Sequence, residues 1–415
     1  MTVQQKLQET MRPEDRLFIE RKKEEMHLTY SQQSILCELA NDLRLWQEQN
    51  LESFWPDHEQ MKGLHDKGAS RFAVSYVQNQ IEKLRQEPTD YSTFCPPSVR
   101  TDKVRCEMIA GDDVTLIGRC PCPPEAPVLR CCGMRTIDAV QQCAFGCSYC
   151  SIQSFYSQNQ IKFISNLSER LQTMHLPAGS WHFTTGQSSD SLLFGDEQGT
   201  LSALASFARE HPDFVIELKS KSRRTDWIGK VDVPRNMIAT WSLNAPTIIG
   251  NEELLTATLK ERLEAARKAA DAGILVGFHF HPMVWFKGMD EEYPEIVHKV
   301  TSMFAPEEVV DISMGTLTFP KPVIQRLRAS ERESRILEME MAGIAGKYSY
   351  PIETKKKMFS MLYSSFPQNW KKNVFFYLCM EDPSLWKPCL GYEYESNAAF
   401  DDAMKKSYLN KIRLR

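Results

Sequence analysis

The sequence predicts an α/β fold built on a parallel sheet, because two patterns alternate along the chain. From about Arg135 onward, short apolar runs alternate with longer segments in which apolar residues have helical spacing. Strands that alternate with helices form right-handed βαβ units, whose strands pair in parallel. The six runs are TIDAV, SWHFTTG, FVIELKSKS, MIATWSLN, ILVGFHFHP and VVDISMGTLTF. Six units make either an open barrel or a doubly wound sheet, and periodicity alone does not choose between them.

The clearest predicted helix precedes the fifth run. Its apolar face is expected to contain Leu255, Leu259, Leu263, Ala266 and Ala270. Gly273 follows this face and is the expected end of the helix. In a barrel and in a doubly wound sheet alike, functional residues gather at the carboxyl ends of the strands.

Two regions of different character precede the alternating pattern. Residues 1–93 are polar and have helical spacing, as in YSQQSILCELANDLRLWQ, where apolar residues share one face. Residues 94–134 contain CPPS and CPCPPEAP, which interrupt helical patterning, so this segment is predicted to be a Cys- and Pro-rich connector.

The composition is that of a globular chain able to bury a substantial core. The 415 residues are 42% hydrophobic and 25% charged, and the formal net charge is −4. This balance excludes a strong overall positive field, so any contact with nucleic acid must come from local patches. No apolar leader or membrane span is evident, and a cytoplasmic location without membrane contact is expected. Because the cytosol keeps thiols reduced, the twelve cysteines indicate metal binding or thiol chemistry rather than disulfides.

Three cysteines lie close together just after the first predicted strand. Cys143, Cys147 and Cys150 form a C-x3-C-x2-C pattern within QQCAFGCSYCSIQ. The gaps are so short that one loop must surround one bound group. That group is either zinc, with further ligands from the upstream cysteines, or a [4Fe–4S] cluster held by three thiolates with one iron left open.

This pattern resembles the signature of the radical S-adenosylmethionine enzymes, which carry C-x3-C-x2-C with an aromatic residue just before the last cysteine. Tyr149 occupies that aromatic position. The resemblance implies a [4Fe–4S] cluster on Cys143, Cys147 and Cys150, and S-adenosylmethionine on the open iron. In that superfamily the reduced cluster cleaves S-adenosylmethionine to methionine and a 5′-deoxyadenosyl radical.

The downstream sequence is similar to the spore photoproduct lyase family. The segment MIATWSLNAPTIIGNEELLTATLKERLEAARKAADAGILVGFHFHPM contains a Ser-x-Asn-Ala strand end, a Leu-x-x-Arg-x-x-Ala-Ala helix and a Gly-Phe strand. FVIELKSKS, GTLTFPKPV and GKYSY resemble further landmarks of that family in the same order. The resemblance implies a partial (β/α)6 barrel of the radical S-adenosylmethionine type over residues 135–367, with an α-helical N-terminal extension and a C-terminal extension at 368–415.

Carried over to this sequence, the resemblance assigns roles to several strand-end residues. Tyr149 would border the adenosyl group and take part in both cofactor binding and catalysis. Lys219 and Ser242 would contact S-adenosylmethionine, since a lysine can neutralise a carboxylate and a hydroxyl can hydrogen-bond polar atoms. Asn244 is a weaker candidate, and Gly186 and Ser188 are candidates in the second strand end, TTGQSSD.

Two positions depart from the family pattern. The family's tyrosine immediately after the third cysteine is Ser151 here. The family carries on its second strand a cysteine that returns a hydrogen atom to the product radical, and the matching stretch places Gln187 there. An S–H bond is weak enough to quench a carbon radical, whereas an amide N–H is not a ready substitute. Gln187 is therefore a candidate catalytic position whose chemistry differs from that of the family.

The connector holds a candidate for a second metal ion or cluster. Four cysteines lie within thirteen residues, at Cys120, Cys122, Cys131 and Cys132. They either bind such a group or are reduced bystanders.

The leading hypothesis is a lyase that repairs a thymine-dimer lesion, the spore photoproduct, in DNA. Its partners would be DNA and a reductant such as flavodoxin or ferredoxin. One alternative keeps the radical chemistry and changes the substrate to RNA, a peptide or a small metabolite. A second alternative is a binding module without catalysis, stabilised by zinc or a cluster.

Overall fold

The computed structural model describes residues 3–98, 105–110, 115–120, 129–151, 160–344 and 346–414. The chain divides into two compact units. The first unit comprises Met1–Ser98, Trp285–Lys287 and Thr318–Pro351, and the second comprises Val99–Val284, Gly288–Leu317 and Ile352–Arg415. Each unit therefore combines segments that are distant in sequence. The domain boundaries expected after residues 93, 134 and 367 stay a prediction.

Helices and strands alternate along much of the described chain. The α-helices are α1 Val3–Thr10, α2 Pro13–Met26, α3 Tyr30–Leu45, α4 Asp66–Gln86, α5 Leu167–Thr173, α6 Thr200–Glu210, α7 Pro246–Glu252, α8 Leu259–Asp271, α9 Met289–Met303, α10 Lys321–Arg328, α11 Ile352–Ser365, α12 Gln368–Asn373, α13 Trp386–Leu390 and α14 Asn397–Arg413. Within the residues described, none of these helices combines the length and apolar character that crossing a membrane requires.

The strands are mostly short. They are β1 Arg105–Ile109, β2 Ile117–Arg119, β3 Arg135–Ile137, β4 Val140–Gln141, β5 Gly146–Cys147, β6 Gln160–Ile164, β7 His182–Thr185, β8 Val215–Ser220, β9 Met237–Ser242, β10 Glu253–Leu254, β11 Val276–Met283, β12 Val309–Thr316, β13 Thr318–Pro320, β14 Ala342–Ile344, β15 Lys347–Ser349 and β16 Phe375–Leu378.

The main sheet lies in the second unit and has eight strands in the order β16-β12-β11-β9-β8-β7-β3-β2. Neighbouring strands from β3 to β16 pair in parallel, and β2 pairs antiparallel with β3. The six predicted runs supply β3, β7, β8, β9, β11 and β12. These strands lie side by side in the sheet in the order in which they occur along the chain. Their side chains are almost all buried, as expected for a parallel sheet covered on both faces. The predicted α/β class with a parallel sheet is confirmed.

Two features of this sheet differ from a regular alternation of strand and helix. Residues 221–236, which connect β8 to β9, contain no helix, and Gly229 and Pro234 interrupt helical patterning there. The strands at the two edges, β2 and β16, are not among the six predicted runs. Both edge strands are short, at three and four residues, and short runs give weak periodic signals.

Helix α8 begins later than the sequence predicts. The hydroxyl of Thr258 accepts a hydrogen bond from the amide of Glu261 at 3.3 Å, and the Glu261 carboxylate accepts one from the Thr258 amide at 2.9 Å, which forms a capping box. Leu255 precedes this cap with a φ of +66° and is 46% exposed, so its predicted place on the helix face is wrong. The buried face contains Leu259, Leu263, Ala266 and Ala270. Gly273, with a φ of +84°, follows the helix as predicted.

In the first unit, helix α3 carries the centre of the core. Its face includes Leu36, Leu39 and Leu43, and all three are buried against the neighbouring helices. The same helix contributes Asp42, whose two oxygens accept from Arg85 of α4 at 2.6 Å and from Arg328 of α10 at 2.8 Å. Because Arg328 lies 286 residues further along the chain, this buried ion pair joins α10 to the N-terminal helices.

We predict that Leu43→Ala lowers the free energy of unfolding by about 2–5 kcal/mol, because it leaves a cavity at a side chain that is fully buried. Leu17 on α2 is 67% exposed, and Leu17→Ala is expected to change stability by less than about 0.5 kcal/mol. Urea denaturation of the full chain, followed by circular dichroism, measures both. Equal effects of the two substitutions would contradict the assignment of this core.

Candidate functional site

The three-cysteine loop lies beside the carboxyl ends of the parallel strands. Strand β3 leads toward the loop, and Cys147 lies in the short strand β5 within it. One cleft is lined by this loop and by residues at the ends of β7, β8, β9 and β11. The predicted site residues that line it are Cys143, Cys147, Cys150, Tyr149, Gly186, Gln187, Lys219 and Ser242. The fold thus brings the predicted residues together from four separate segments, which are the loop and the ends of β7, β8 and β9.

The loop is held by the backbone of the segment that follows α7. Strand β10 pairs antiparallel with β5, which places Glu253 opposite Cys147. Next to this pair, the amide of Ser148 donates to the carbonyl of Glu252 at 2.8 Å. The hydroxyl of Ser148 also donates to the Glu252 carboxylate. The side chain of Glu252 is fully buried, so its contact with Ser148 is protected from water.

The side chain of Glu253 accepts hydrogen bonds from four residues. Lys221 donates at 2.9 Å and Asn244 at 3.1 Å to Oε1, and the hydroxyl of Tyr149 donates to the same oxygen. Arg262, which is fully buried, donates to Oε2 at 2.6 Å. One carboxylate therefore connects the cysteine loop, the end of β8, the end of β9 and helix α8.

Lys221 brings a positive charge to the cysteines. Its Nζ lies 4.0 Å from Sγ of Cys147, contacts the hydroxyl of Tyr149 and lies 4.8 Å from the centroid of the Tyr149 ring. Burial acts to lower the pKa of Lys221, but Cys147 and Glu253 raise it more strongly, so its ammonium group stays charged.

The cleft raises the pKa values of its thiols. Burial raises the pKa of Cys147 to about 12, and nearby Lys221 offsets only part of this effect. Burial, followed by the charge of Asp190, raises the pKa of Cys143 well above its usual range. Burial also acts to raise the pKa of Glu253, but Lys221 and Arg262 together hold it below its usual range. The carboxylate is thus charged, whereas the thiols ionise when a further cation such as a metal lies beside them.

A second buried carboxylate, that of Asp190, lines the cleft. Its Oδ1 accepts from the amides of Leu192 and Leu193 at 3.0 and 2.9 Å and from the hydroxyl of Ser220 at 2.8 Å. Its Oδ2 accepts from the amide of Lys221 at 2.6 Å. These bonds fasten the turn after β7 to the end of β8.

The turn TTGQSSD requires glycine at its first bend. Gly186 has a φ of +91°, and a Cβ atom there would lie 2.7 Å from the carbonyl oxygen of Lys219.

Two predicted residues lie outside the cleft lining. The hydroxyl of Ser188 donates to the carbonyl of Val140 at 2.7 Å, and Asn244 is bound to Glu253. Their predicted part in cofactor binding stays a prediction.

Two histidines on β11 have different surroundings. His281 lines the cleft, whereas Nε2 of His279 lies 2.8 Å from Oε1 of buried Glu217. Burial, followed by the charge of Lys219, lowers the pKa of His281 to about 3 and that of His279 to about 4. Both imidazoles are therefore neutral near pH 7, and the cations that line the cleft are Lys219 and Lys221.

Sequence reasoning missed Lys221, Glu253 and Arg262. Lys221 follows Lys219 by two residues, and strand alternation could have placed both side chains on one face. Arg262 is the arginine of the Leu-x-x-Arg-x-x-Ala-Ala helix, where an arginine on an apolar helix face indicates a buried partner. Glu253 lies in NEELL, which carries no local signal, because its partners come from segments distant in sequence.

A parallel sheet with a C-x3-C-x2-C loop at its carboxyl edge is the arrangement typical of radical S-adenosylmethionine enzymes. The sequence profile of the spore photoproduct lyase family matches residues 135–379, which is more than half of the chain. The chain belongs to the spore photoproduct lyase family. No curated protein matches it.

Solved structures share the fold. A spore photoproduct lyase complexed with dinucleoside spore photoproduct matches with 19% identity and a TM-score of 0.55, covering 73% of this chain and 94% of that one. A mutant spore photoproduct lyase with bound AdoMet (S-adenosylmethionine) and dinucleoside spore photoproduct gives 19% identity, a TM-score of 0.54 and the same coverage. Another mutant matches with 18% identity and a TM-score of 0.54 over 78% of this chain and 88% of that one.

We predict that Glu253→Gln lowers the free energy of unfolding by about 3–5 kcal/mol, because it leaves Lys221 and Arg262 buried without their counter-charge. The matched control is Glu264→Gln on the same helix that carries Arg262. Glu264 is 54% exposed and 3.8 Å from Lys260, so its loss is expected to cost less than about 0.5 kcal/mol. Urea denaturation measures both, and an unchanged stability of Glu253→Gln would contradict the described network.

Proposed function

We propose that this chain is a radical S-adenosylmethionine lyase that cleaves the spore photoproduct, a thymine-dimer lesion in DNA. The observation that carries the proposal is the cleft in which the three-cysteine loop faces Lys219 and Ser242. The substrate is supported by the family match and by the spore photoproduct bound to the similar structures. Gln187 in place of the family's cysteine is the feature that favours RNA, a peptide or a small metabolite, and the family match favours the lesion.

The residues present fit a [4Fe–4S] cluster. Cys143, Cys147 and Cys150 lie on one loop and line one cleft, and three thiolates are the donor set that leaves one iron for another ligand. Lys221, 4.0 Å from Cys147, favours the ionised thiols that such a cluster needs. When bound, the cluster supplies the electron that splits S-adenosylmethionine into methionine and a 5′-deoxyadenosyl radical.

The side chains around the loop would bind and orient S-adenosylmethionine. Lys219 is placed to neutralise its carboxylate, and Ser242 to hydrogen-bond its polar atoms. Because Gly186 has no side chain, the end of β7 packs closely against the backbone of Lys219, which also lines the cleft. Tyr149, held by Glu253, would border the adenosyl group.

The lesion would react at the mouth of the same cleft. A hydrogen atom leaves the lesion, the bond between the two bases breaks, and a hydrogen atom is returned to close the cycle. Gln187 lines the cleft at the position where the family pattern has the returning cysteine. Within this proposal, hydrogen return therefore follows a different route in this chain.

The remaining expectations belong to the same proposal. The sheet would act as a partial barrel of six βα units with the helical N-terminal region as an extension. Flavodoxin or ferredoxin would supply electrons, DNA would be the partner, and the reaction would take place in the cytoplasm.

We predict that Cys147→Ala abolishes both the iron bound at this loop and the formation of 5′-deoxyadenosine, because only two of three thiolates remain. The measurements are iron and sulfide content after anaerobic reconstitution, and 5′-deoxyadenosine formed with dithionite and S-adenosylmethionine. Cys389→Ala is the control, since that buried cysteine contacts the carbonyl of Lys356 and not the cleft. An absence of 5′-deoxyadenosine from wild-type protein would overturn the enzyme class. Its formation without conversion of a lesion-bearing oligonucleotide to the undamaged strand would overturn the substrate alone.

We predict that Gln187→Cys increases the number of lesions converted back to two thymine residues per 5′-deoxyadenosine formed, because it places a weak S–H bond where Gln187 lines the cleft. Gln187→Ser is the matched control, because a hydroxyl has a similar size but a much stronger bond to hydrogen. Chromatography of both products measures the ratio. An equal ratio for the two variants would show that this position does not face the product radical.

A further inference from the structure

Four cysteines outside the three-cysteine loop come together in the second unit. Cys120 follows β2, and its amide donates to the carbonyl of Met134 at 3.2 Å, close to the adjacent pair Cys131 and Cys132. The thiols of Cys131, Cys120 and Cys379 lie near enough to that of Cys132 to act on it electrostatically. Cys379 joins this group from a distant part of the sequence.

The backbone places Cys379 beside the connector. Cys379 directly follows β16, which is one edge of the main sheet, whereas Cys120 directly follows β2, the other edge. Between the two edges, the amide of Arg130 donates to the carbonyl of Glu381 at 3.0 Å in an isolated antiparallel bridge. The amide of Cys379 donates to the carbonyl of Met314 on β12 at 2.7 Å. The thiols thus lie where the two edges of the sheet approach each other.

A histidine with one unbonded nitrogen faces the same region. His182 begins β7, is 2% exposed, and lines a cleft together with Cys131 and Cys132. Its Nε2 lies 2.9 Å from Oε2 of Glu217, whereas its Nδ1 has no hydrogen-bond partner among the described residues. A carboxylate that holds one imidazole nitrogen while the other stays free is the usual arrangement around a histidine that binds a metal ion.

We propose that Cys120, Cys132, Cys379 and Nδ1 of His182 bind a zinc ion that joins the two edges of the main sheet. Three thiolates and one imidazole form a donor set typical of structural zinc. Cys131 is left as a neighbour, because two adjacent cysteines rarely reach one tetrahedral ion together. This set differs from the one predicted from the sequence. Of that earlier set, Cys122 lies outside the described residues.

Zinc binding is balanced by the release of protons. Each of the three thiols loses its proton to solvent as a Zn–S bond forms, and the neutral imidazole binds through its lone pair. Within the described residues, no three His, Cys, Asp or Glu side chains already surround a single metal-sized point, and this includes Cys143, Cys147 and Cys150. The side chains of the proposed zinc site therefore move toward the metal as it binds. The inference rests on the donor set and its backbone placement.

The test uses the full chain with Cys143, Cys147 and Cys150 replaced by alanine, so that the proposed cluster loop binds no metal. Zinc, iron and sulfide are measured per chain after purification and dialysis against a weak chelator. We expect about one zinc per chain in this background, lost on adding Cys132→Ser or Cys379→Ser and retained on adding Cys389→Ser. Because these variants can fail to fold, Co²⁺ is also added to the background protein, where the strong visible absorption of tetrahedral thiolate coordination is expected.

Each outcome decides the proposal. Zinc that depends on Cys132 and Cys379, or a thiolate Co²⁺ spectrum, supports it. Iron with sulfide that depends on the same cysteines overturns zinc as the metal. Absence of metal together with a Co²⁺ spectrum of oxygen coordination overturns the site. The lyase proposal is untouched by any of these results, because the assay reads no 5′-deoxyadenosine.

Discussion

A single buried carboxylate determines how the cleft is arranged. Glu253 alone, or Lys221 and Arg262 alone, would be costly to bury, because each charge would lose its hydration without gaining a partner. Together they satisfy one another at 2.9 and 2.6 Å. The same residue pairs through its backbone with Cys147. Glu253 therefore holds the cysteine loop against the sheet in two ways, through its buried ion pairs and through its backbone pairing with Cys147.

The order of the sheet explains why the remaining cleft residues meet there. Strands β7, β8, β9 and β11 are neighbours and run in parallel, so their carboxyl ends lie side by side. Gly186, Lys219, Ser242 and His281 are at or near those ends. The turn held by Asp190 also lines this cleft. The positions of the cleft residues follow from the strand order, and the buried carboxylates of Glu253 and Asp190 fix the loops beside them.

The sequence predicted what is local and periodic. Six apolar runs predicted six parallel strands correctly, and the spacing of Cys143, Cys147 and Cys150 indicated one loop around one group. Leu255 was misplaced, because its apolar character matched the helix face while the cap at Thr258 starts the helix later. Glu253 and His182 could not be identified from the sequence, because their partners lie on other strands and loops. Interactions of this kind depend on the folded chain.

We propose that the loop of three cysteines holds a cluster with one iron open to S-adenosylmethionine. Electron paramagnetic resonance of the reconstituted, dithionite-reduced protein tests it most directly, with spectra recorded before and after adding S-adenosylmethionine. We expect a [4Fe–4S]⁺ signal whose g values shift when S-adenosylmethionine is added, because the ligand binds the open iron. A signal that stays the same at saturating S-adenosylmethionine, or the absence of any cluster signal, would contradict the account.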